Sequence, residues 1–189
     1  MIETLPDVRK DVIVRLTAAA TDRKSPMHTP VVATADADAR IMVLRDFDPD
    51  GWVLRFHTDV RSPKASVIGN GAPLGVLFYD ADEKVQIRCR GTGRIESATS
   101  QVEQFWSASD TFARRCYLGA PPGEHRAEPS TGLPHWVEGA RPTEEELEPA
   151  RVNFGALIVE IETIDWYCLS STGHRRAILE RDSATWVTP

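Results

Sequence analysis

The stretch FHTDVRSPK, residues 56–64, brings together two hydroxyls, Thr58 and Ser62, and two cations, Arg61 and Lys64. A phosphate monoester carries nearly two negative charges and is held best by short charge-assisted bonds from arginine, lysine and hydroxyl groups. Free backbone N–H groups at a helix start add further donors, and Ser62 followed by Pro63 reads as an N-cap with proline at the first helical position. The plain alternative is a capped helix with two solvated basic residues. A second candidate is RIMVLR, residues 40–45. Arg40 and Arg45 are an odd number apart and face opposite sides of a regular strand, so they do not both touch one small ion. Five residues of strand rise about 16 Å, the length of an extended mononucleotide. A ligand lying along the strand would meet one arginine at each end and the backbone between. In VQIRCRG, alternation sends Val85, Ile87 and Cys89 to one face and Gln86, Arg88 and Arg90 to the other.

These groups need elements to position them. Val8, Val12, Leu16 and Ala20 stand four apart and predict an amphipathic helix over about 6–23. The period then changes to two, and PVVATAD, RIMVLRDF and GWVLRFHT predict three strands with turns at DADA and DPDG. SPKASVIGN predicts a short helix with Gly71 beyond its end. PLGVLFYD and VQIRCRGTGRIES predict a hairpin across ADEK, the second strand bending at Gly91 and Gly93. SQVEQFWSASDTFARRCYLG suits one or two helices. The Pro- and Gly-dense stretch 119–142 predicts a long loop, and Thr143 with Glu146 a capping box. FGALIVEIETIDWYCLS, RRAILERD and ATWVTP close the chain as three strands. Seven or eight antiparallel strands with a few helices favour a small barrel, because closure removes exposed sheet edges.

Composition limits the function. With 189 residues, 41% hydrophobic and 26% charged, the chain is expected to form one globular domain spanning residues 1–189. A formal net charge of −6 argues against general nucleic-acid affinity, so any anion site is local. No stretch approaches the length of a membrane span, and the N-terminus does not read as a signal peptide. A cytoplasmic protein is the expectation. Cys89, Cys116 and Cys168 show no CxxC spacing and are expected to be buried thiols rather than metal ligands or disulfide partners.

The order of the segments resembles the pyridoxamine 5'-phosphate oxidase-like, FMN-binding split-barrel family. The matching pieces are RIMVLRDFDPDGWVLRFHTDVRSPKASVI, VQIRCRG, NFGALIVEIETIDWYCLSSTGHRRA and TWVTP, with HTPVVATAD as the first strand. The resemblance implies a mainly β protein with peripheral helices, an antiparallel Greek-key split barrel, working as a homodimer with FMN between the two barrels. It implies that Arg40 and the strand through Val43, Leu44 and Arg45 contact the flavin and its phosphate arm. His57 and Thr58 occupy the family's FYT positions. Ser62 and Lys64 match its phosphate-binding serine and lysine, and Gln86 matches the glutamine that bonds the isoalloxazine.

The departures also matter. Pro63 stands where the oxidases have arginine, leaving Arg61 to replace that charge. Arg45 replaces a lysine, with a different donor geometry. In GHRRA, similar to the oxidases' C-terminal motif with compressed spacing, Arg175 or Arg176 is expected at the ligand. The region of the oxidases' substrate-phosphate residues fails to match, although Arg114, Arg115 and Tyr117 supply related chemistry. Trp106 and Trp166 are expected to be barrel tryptophans, and His57 to pack and hydrogen-bond. The implied function is an FMN-dependent oxidoreductase acting on an unassigned small molecule, with Arg45 the nearest catalytic candidate, no metal and no membrane. A protein that binds flavin, deazaflavin or haem without turnover is the alternative.

Overall fold

The computed structural model describes residues 2–189. Helix α1, Leu5–Thr21, is capped by Thr4, whose hydroxyl accepts from the Asp7 amide at 3.3 Å. Its buried stripe is Val8, Val12, Leu16 and Ala19. The stripe ends at Ala19 rather than Ala20 because three turns advance about 11 residues, not twelve. The helix packs against the barrel wall. None of the helices among the described residues is long and apolar enough to cross a membrane.

Nine strands among the described residues form one antiparallel sheet: β1 Val31–Thr34, β2 Ala39–Ile41, β3 Leu44–Asp48, β4 Val53–Asp59, β5 Ala72–Asp80, β6 Val85–Glu96, β7 Phe154–Cys168, β8 Arg175–Leu179 and β9 Ala184–Val187. The order across the sheet is β2-β1-β5-β6-β7-β4-β3. The 15-residue β7 pairs along its length with β6, and its other edge is shared. The first half pairs with β4, from Phe154 opposite Asp59 to Glu160 opposite Val53, and the second with β8, from Ile164 to Cys168. That forked pairing curls the sheet into a split barrel.

The count exceeds the sequence expectation because RIMVLRDF is not one strand. Met42 and Val43 step out of the ladder and divide it into β2 and β3. The Met42 amide bonds instead to the Pro30 carbonyl at 3.0 Å. Immediately after, Leu44 pairs with Phe56 and Asp46 with Arg55, leaving Arg45 as the extra residue of a β-bulge. The bend predicted on β6 is likewise a register shift, between Arg90 and Gly91. Gly91 is required there, since a Cβ at that position would stand 1.9 Å from the Glu160 carbonyl oxygen.

β7 is buried on both faces, which explains its almost unbroken apolar run. Leu157, Val159, Ile161 and Ile164 enter the main core with Phe56, Phe78, Ile87 and Trp166. Phe154, Ala156 and Ile158 face a smaller core under a helical cap. The cap comprises α3 Ser100–Ser107, α4 Thr111–Arg114, a 3-10 turn Arg115–Leu118 and α5 Glu144–Leu147, whose Thr143–Glu146 capping box forms as expected. Val102, Trp106, Tyr117 and Leu147 are its buried side chains. The short helix α2, Pro63–Ile68, leads from β4 toward β5 and ends at Gly69 (φ 50°), two residues before the expected Gly71.

The cysteine expectation holds in one case. Cys89 is buried, Cys168 is half-buried and Cys116 is exposed, because its 3-10 turn lies at the rim of the helical cap.

Candidate functional site

Between the β2–β4 surface and the helical cap lies a cleft of about 650 Å³. Arg40, Ile41, Met42, Val43 and Arg45 line one side; Arg55, His57, Thr58 and Asp59 line another; Lys64 stands at the start of α2. The cap contributes Phe105, Ala108, Ser109, Asp110, Ala113, Arg114, Cys116 and Tyr117. Arg40 and Arg45 therefore share one cleft, against the alternation expected of a continuous strand. The Met42–Val43 step and the bulge at Arg45 break the period of two between them, and bulges re-aim side chains in this way.

Six cations line the cleft, Arg23, Arg40, Arg45, Arg55, Lys64 and Arg114, against two acids, Asp59 and Asp110. Both acids are already engaged. Asp59 is forked by Arg61, with Nη2 at 2.6 Å and Nε at 3.0 Å, and Asp110 accepts from Arg141 at 2.6 Å. Arg40 pairs with Asp38 and donates to the Thr34 hydroxyl at 3.0 Å. Arg114, 2% exposed, pairs with Glu144 at 2.5 Å and lies over the Trp106 ring. Lys64 donates to the Ser62 hydroxyl at 3.1 Å and makes no ion pair among the described residues. Burial, and then the nearby Arg40 charge, hold its pKa below the ordinary lysine value. Arg45 makes neither an ion pair nor a hydrogen bond among the described residues, and its buried Nε lacks a partner, as does that of Arg55. Arg55 pairs with Asp46 at 3.4 Å; partly buried cations without a close ion-pair partner, here Lys64 and Arg45, cost free energy that an anion would recover. This donor set fits a phosphorylated, ring-bearing ligand.

His57 sits in the cleft wall with Nε2 3.0 Å from Nη1 of Arg55. Its ring stacks on Phe105 at 6.4 Å and meets the edge of Phe154 at 4.9 Å. Burial first, then the charges of Arg45 and Arg55, push its pKa down to about 3. The imidazole is neutral at physiological pH, with Nε2 accepting from Arg55 and the proton on Nδ1. It packs and hydrogen-bonds, as expected from the sequence.

Other candidates lie elsewhere. Leu44 is fully buried in the core and offers the cleft no side chain. Arg61 turns from the cleft to Asp59 and to the Gly119 carbonyl, 3.0 Å away. Ser62 is buried and donates to the Asp59 carbonyl at 2.7 Å instead of capping α2. Both follow from Asp59, whose carboxylate and carbonyl organise the turn between β4 and α2. Gln86 lies on β6 opposite Tyr79 and Tyr167. Arg176 forks onto Asp165 at 3.0 and 2.8 Å. Arg175 opens on a second cleft of about 480 Å³ with Arg15, Lys84 and Trp166. Trp106 and Trp166 are 6% and 1% exposed, and neither lines the first cleft. Arg115 stacks on Phe112. The sequence reading passed over Arg55, although its placement two residues before His57 puts both on one strand face. Phe105 reaches the cleft from the cap and left no comparable signal.

Residues 11–97 match the family model described as pyridoxamine 5'-phosphate oxidase, FMN-binding domain. A pyridoxine/pyridoxamine 5'-phosphate oxidase from Caulobacter vibrioides is 33% identical over 93 residues, 47% of this chain and 39% of that protein. The match thus spans well under half of the curated relative. A pyridoxamine 5'-phosphate oxidase-related, FMN binding protein from Nostoc punctiforme superposes with a TM-score of 0.73 at 22% identity, covering 99% of this chain and 100% of its own. PhzG from Burkholderia lata, solved with tetrahydrophenazine-1-carboxylic acid, superposes at 0.62 and 18% identity, covering 97% and 92%. Over residues 11–97 the chain matches the pyridoxamine 5'-phosphate oxidase FMN-binding-domain family, and over its whole length it has the split-barrel fold of that family's structures.

Proposed function

We propose that this protein is an FMN-dependent oxidoreductase of small molecules. The observation that carries the reading is the pair of cations without a close ion-pair partner among the described residues in one cleft, Lys64 beside Arg40 and Arg45 in its bulge, with Ile41, Met42 and Val43 lining the same cleft. Lys64, Arg40 and the Thr58 hydroxyl would hold the phosphate, and the Met42–Val43 step the ring-bearing part. When bound, the isoalloxazine supplies the hydride or electron chemistry. The ionisable groups nearby suit that division of labour. His57 stays neutral, and burial raises the Tyr117 phenol above its ordinary value.

Gln86, Arg175 and Arg176 stand on strands that do not border this cleft. We propose that they meet the cofactor of a second copy in a homodimer, which is also consistent with Ile41, 69% exposed at the cleft edge. The functional test is a visible absorption spectrum of the purified protein before and after adding FMN. Lys64→Ala should weaken FMN binding by about tenfold or more, since bonds to charged groups contribute about 1.5–3 kcal/mol. A protein that stays colourless in excess FMN overturns the reading. Bound flavin that no nicotinamide donor reduces would instead identify a binding protein.

A further inference from the structure

We infer that Arg45 and Arg55 form a subsite for the carboxylate of a flat, aromatic substrate, distinct from the end of the cleft where Lys64 stands. The inference rests on the flavin reading above and names the class of compound that would meet the cofactor.

Geometry brings the two guanidiniums together. The bulge leaves Arg45 as the extra residue beside the Asp46–Arg55 pair, on neighbouring strands β3 and β4, and both side chains line the same cleft. They are close enough that the Arg45 charge disfavours protonation of Arg55 and His57. Each has a buried Nε without a partner. Arg55 is held in place, its guanidinium 3.9 Å from the centroid of the Phe105 ring and its Nη1 against His57. A rigid fork loses less entropy on binding a planar oxyanion than a free side chain does.

Charge balance selects the anion. Of the three guanidiniums Arg45, Arg55 and Arg114, two have carboxylate partners, Asp46 at 3.4 Å from Arg55 and Glu144 at 2.5 Å from Arg114, and Arg45 has none among the described residues. Asp110 is neutralised by Arg141. Within this set one positive charge, that of Arg45, lacks a partner; a carboxylate balances it one to one, and a phosphate monoester exceeds it. His57 supplies no further charge, because burial and then the Arg45 and Arg55 charges keep it unprotonated. The aromatic walls, Phe105, Phe154 and Tyr117, suit a flat ring.

The test is isothermal titration of the folded protein, with and without FMN, using benzoate, benzamide and phenyl phosphate as probes. Benzoate should bind with about millimolar affinity, as befits a fragment. Benzamide and phenyl phosphate should each bind about tenfold more weakly or worse. Arg55→Gln should weaken benzoate by about tenfold, and Arg55→Lys, which keeps the charge but not the fork, should fall between. Equal binding of benzamide, tighter binding of phenyl phosphate, indifference to Arg55→Gln in a variant with wild-type circular dichroism, or no benzoate binding at all would each overturn the subsite. FMN uptake is scored separately by absorbance. Loss of FMN uptake with Arg55-dependent benzoate binding would sink the cofactor and leave the subsite standing.

Discussion

Nε2 of His57 lies 3.0 Å from Nη1 of Arg55, so the imidazole is the acceptor in this contact and is locked as a neutral ring against a permanent cation. Two residues on one face of β4 thereby fix each other's orientation, and with Phe105 they make one wall of the cleft.

The contact has a pH signature. The folded-state pKa of His57 is depressed to about 3, while an unfolded histidine titrates near 6.5. Between those values the unfolded chain binds the extra proton, so stability from this group is complete above about pH 6.5 and declines as pH falls toward 3, by at most about 1.4 kcal/mol per pH unit. Urea unfolding of wild type and His57→Gln at several pH values between 4.5 and 7 should show a steeper decline in the wild type. Parallel declines would contradict the neutral, shielded ring.

Arg61→Ala should act on the fold more than on the ligand. Its guanidinium ties Asp59, 9% exposed, to the Gly119 carbonyl at the start of the long loop. Removing it leaves a buried carboxylate half-paired, at a cost of about 1–3 kcal/mol. Limited proteolysis within 119–142 should accelerate, while FMN affinity changes less than in Lys64→Ala. A larger effect on FMN than on loop cleavage would reverse these roles.

Gly91→Ala should be among the most damaging single changes. The added methyl carbon would meet the Glu160 carbonyl oxygen at 1.9 Å, where the neighbouring strand's backbone cannot retreat. A loss of about 2 kcal/mol or more, or failure to accumulate folded protein, is expected. Gly71→Ala, whose Cβ would find only Thr92 Cγ2 at 3.9 Å, is the mild comparison. Thermal melts of the two variants test the contrast.

Trp166→Phe should preserve the ring's burial yet break the Nε1 bond to Asp11 at 2.8 Å, the contact that joins α1 to β7. A loss of about 1–3 kcal/mol follows, with α1 exchanging its amide hydrogens sooner than the β6–β7 ladder. Unchanged exchange in α1 would show that its apolar stripe suffices.

Much was legible from local pattern. α1, the β5–β6 hairpin, the capping box at Thr143 and the closing strands follow from periods of 3.6 and 2 and from side chains that satisfy their own neighbours' backbone, all short-range causes. Thr58 and Lys64 reach the cleft together because they flank one strand-to-helix turn. Arg61 and Ser62, in the same turn, bond to Asp59 instead of lining the cleft, because composition announces donors but not which acceptor they meet.

The sequence by itself determined most of the strands, the packing face of α1 and the gathering of cations and hydroxyls at the turn between β4 and α2, since each depends on residues close in the chain. Only the tertiary structure decided that Arg40 and Arg45 share a cleft, through a broken strand and a bulge matched to Arg55 across the hairpin. It also set Phe105 and Arg114 above them from a distant helical cap, and parted Gln86 and Arg175 from that cleft. Such placements come from strand register and packing between segments far apart in sequence, where burial of both faces of β7 outweighs local preference.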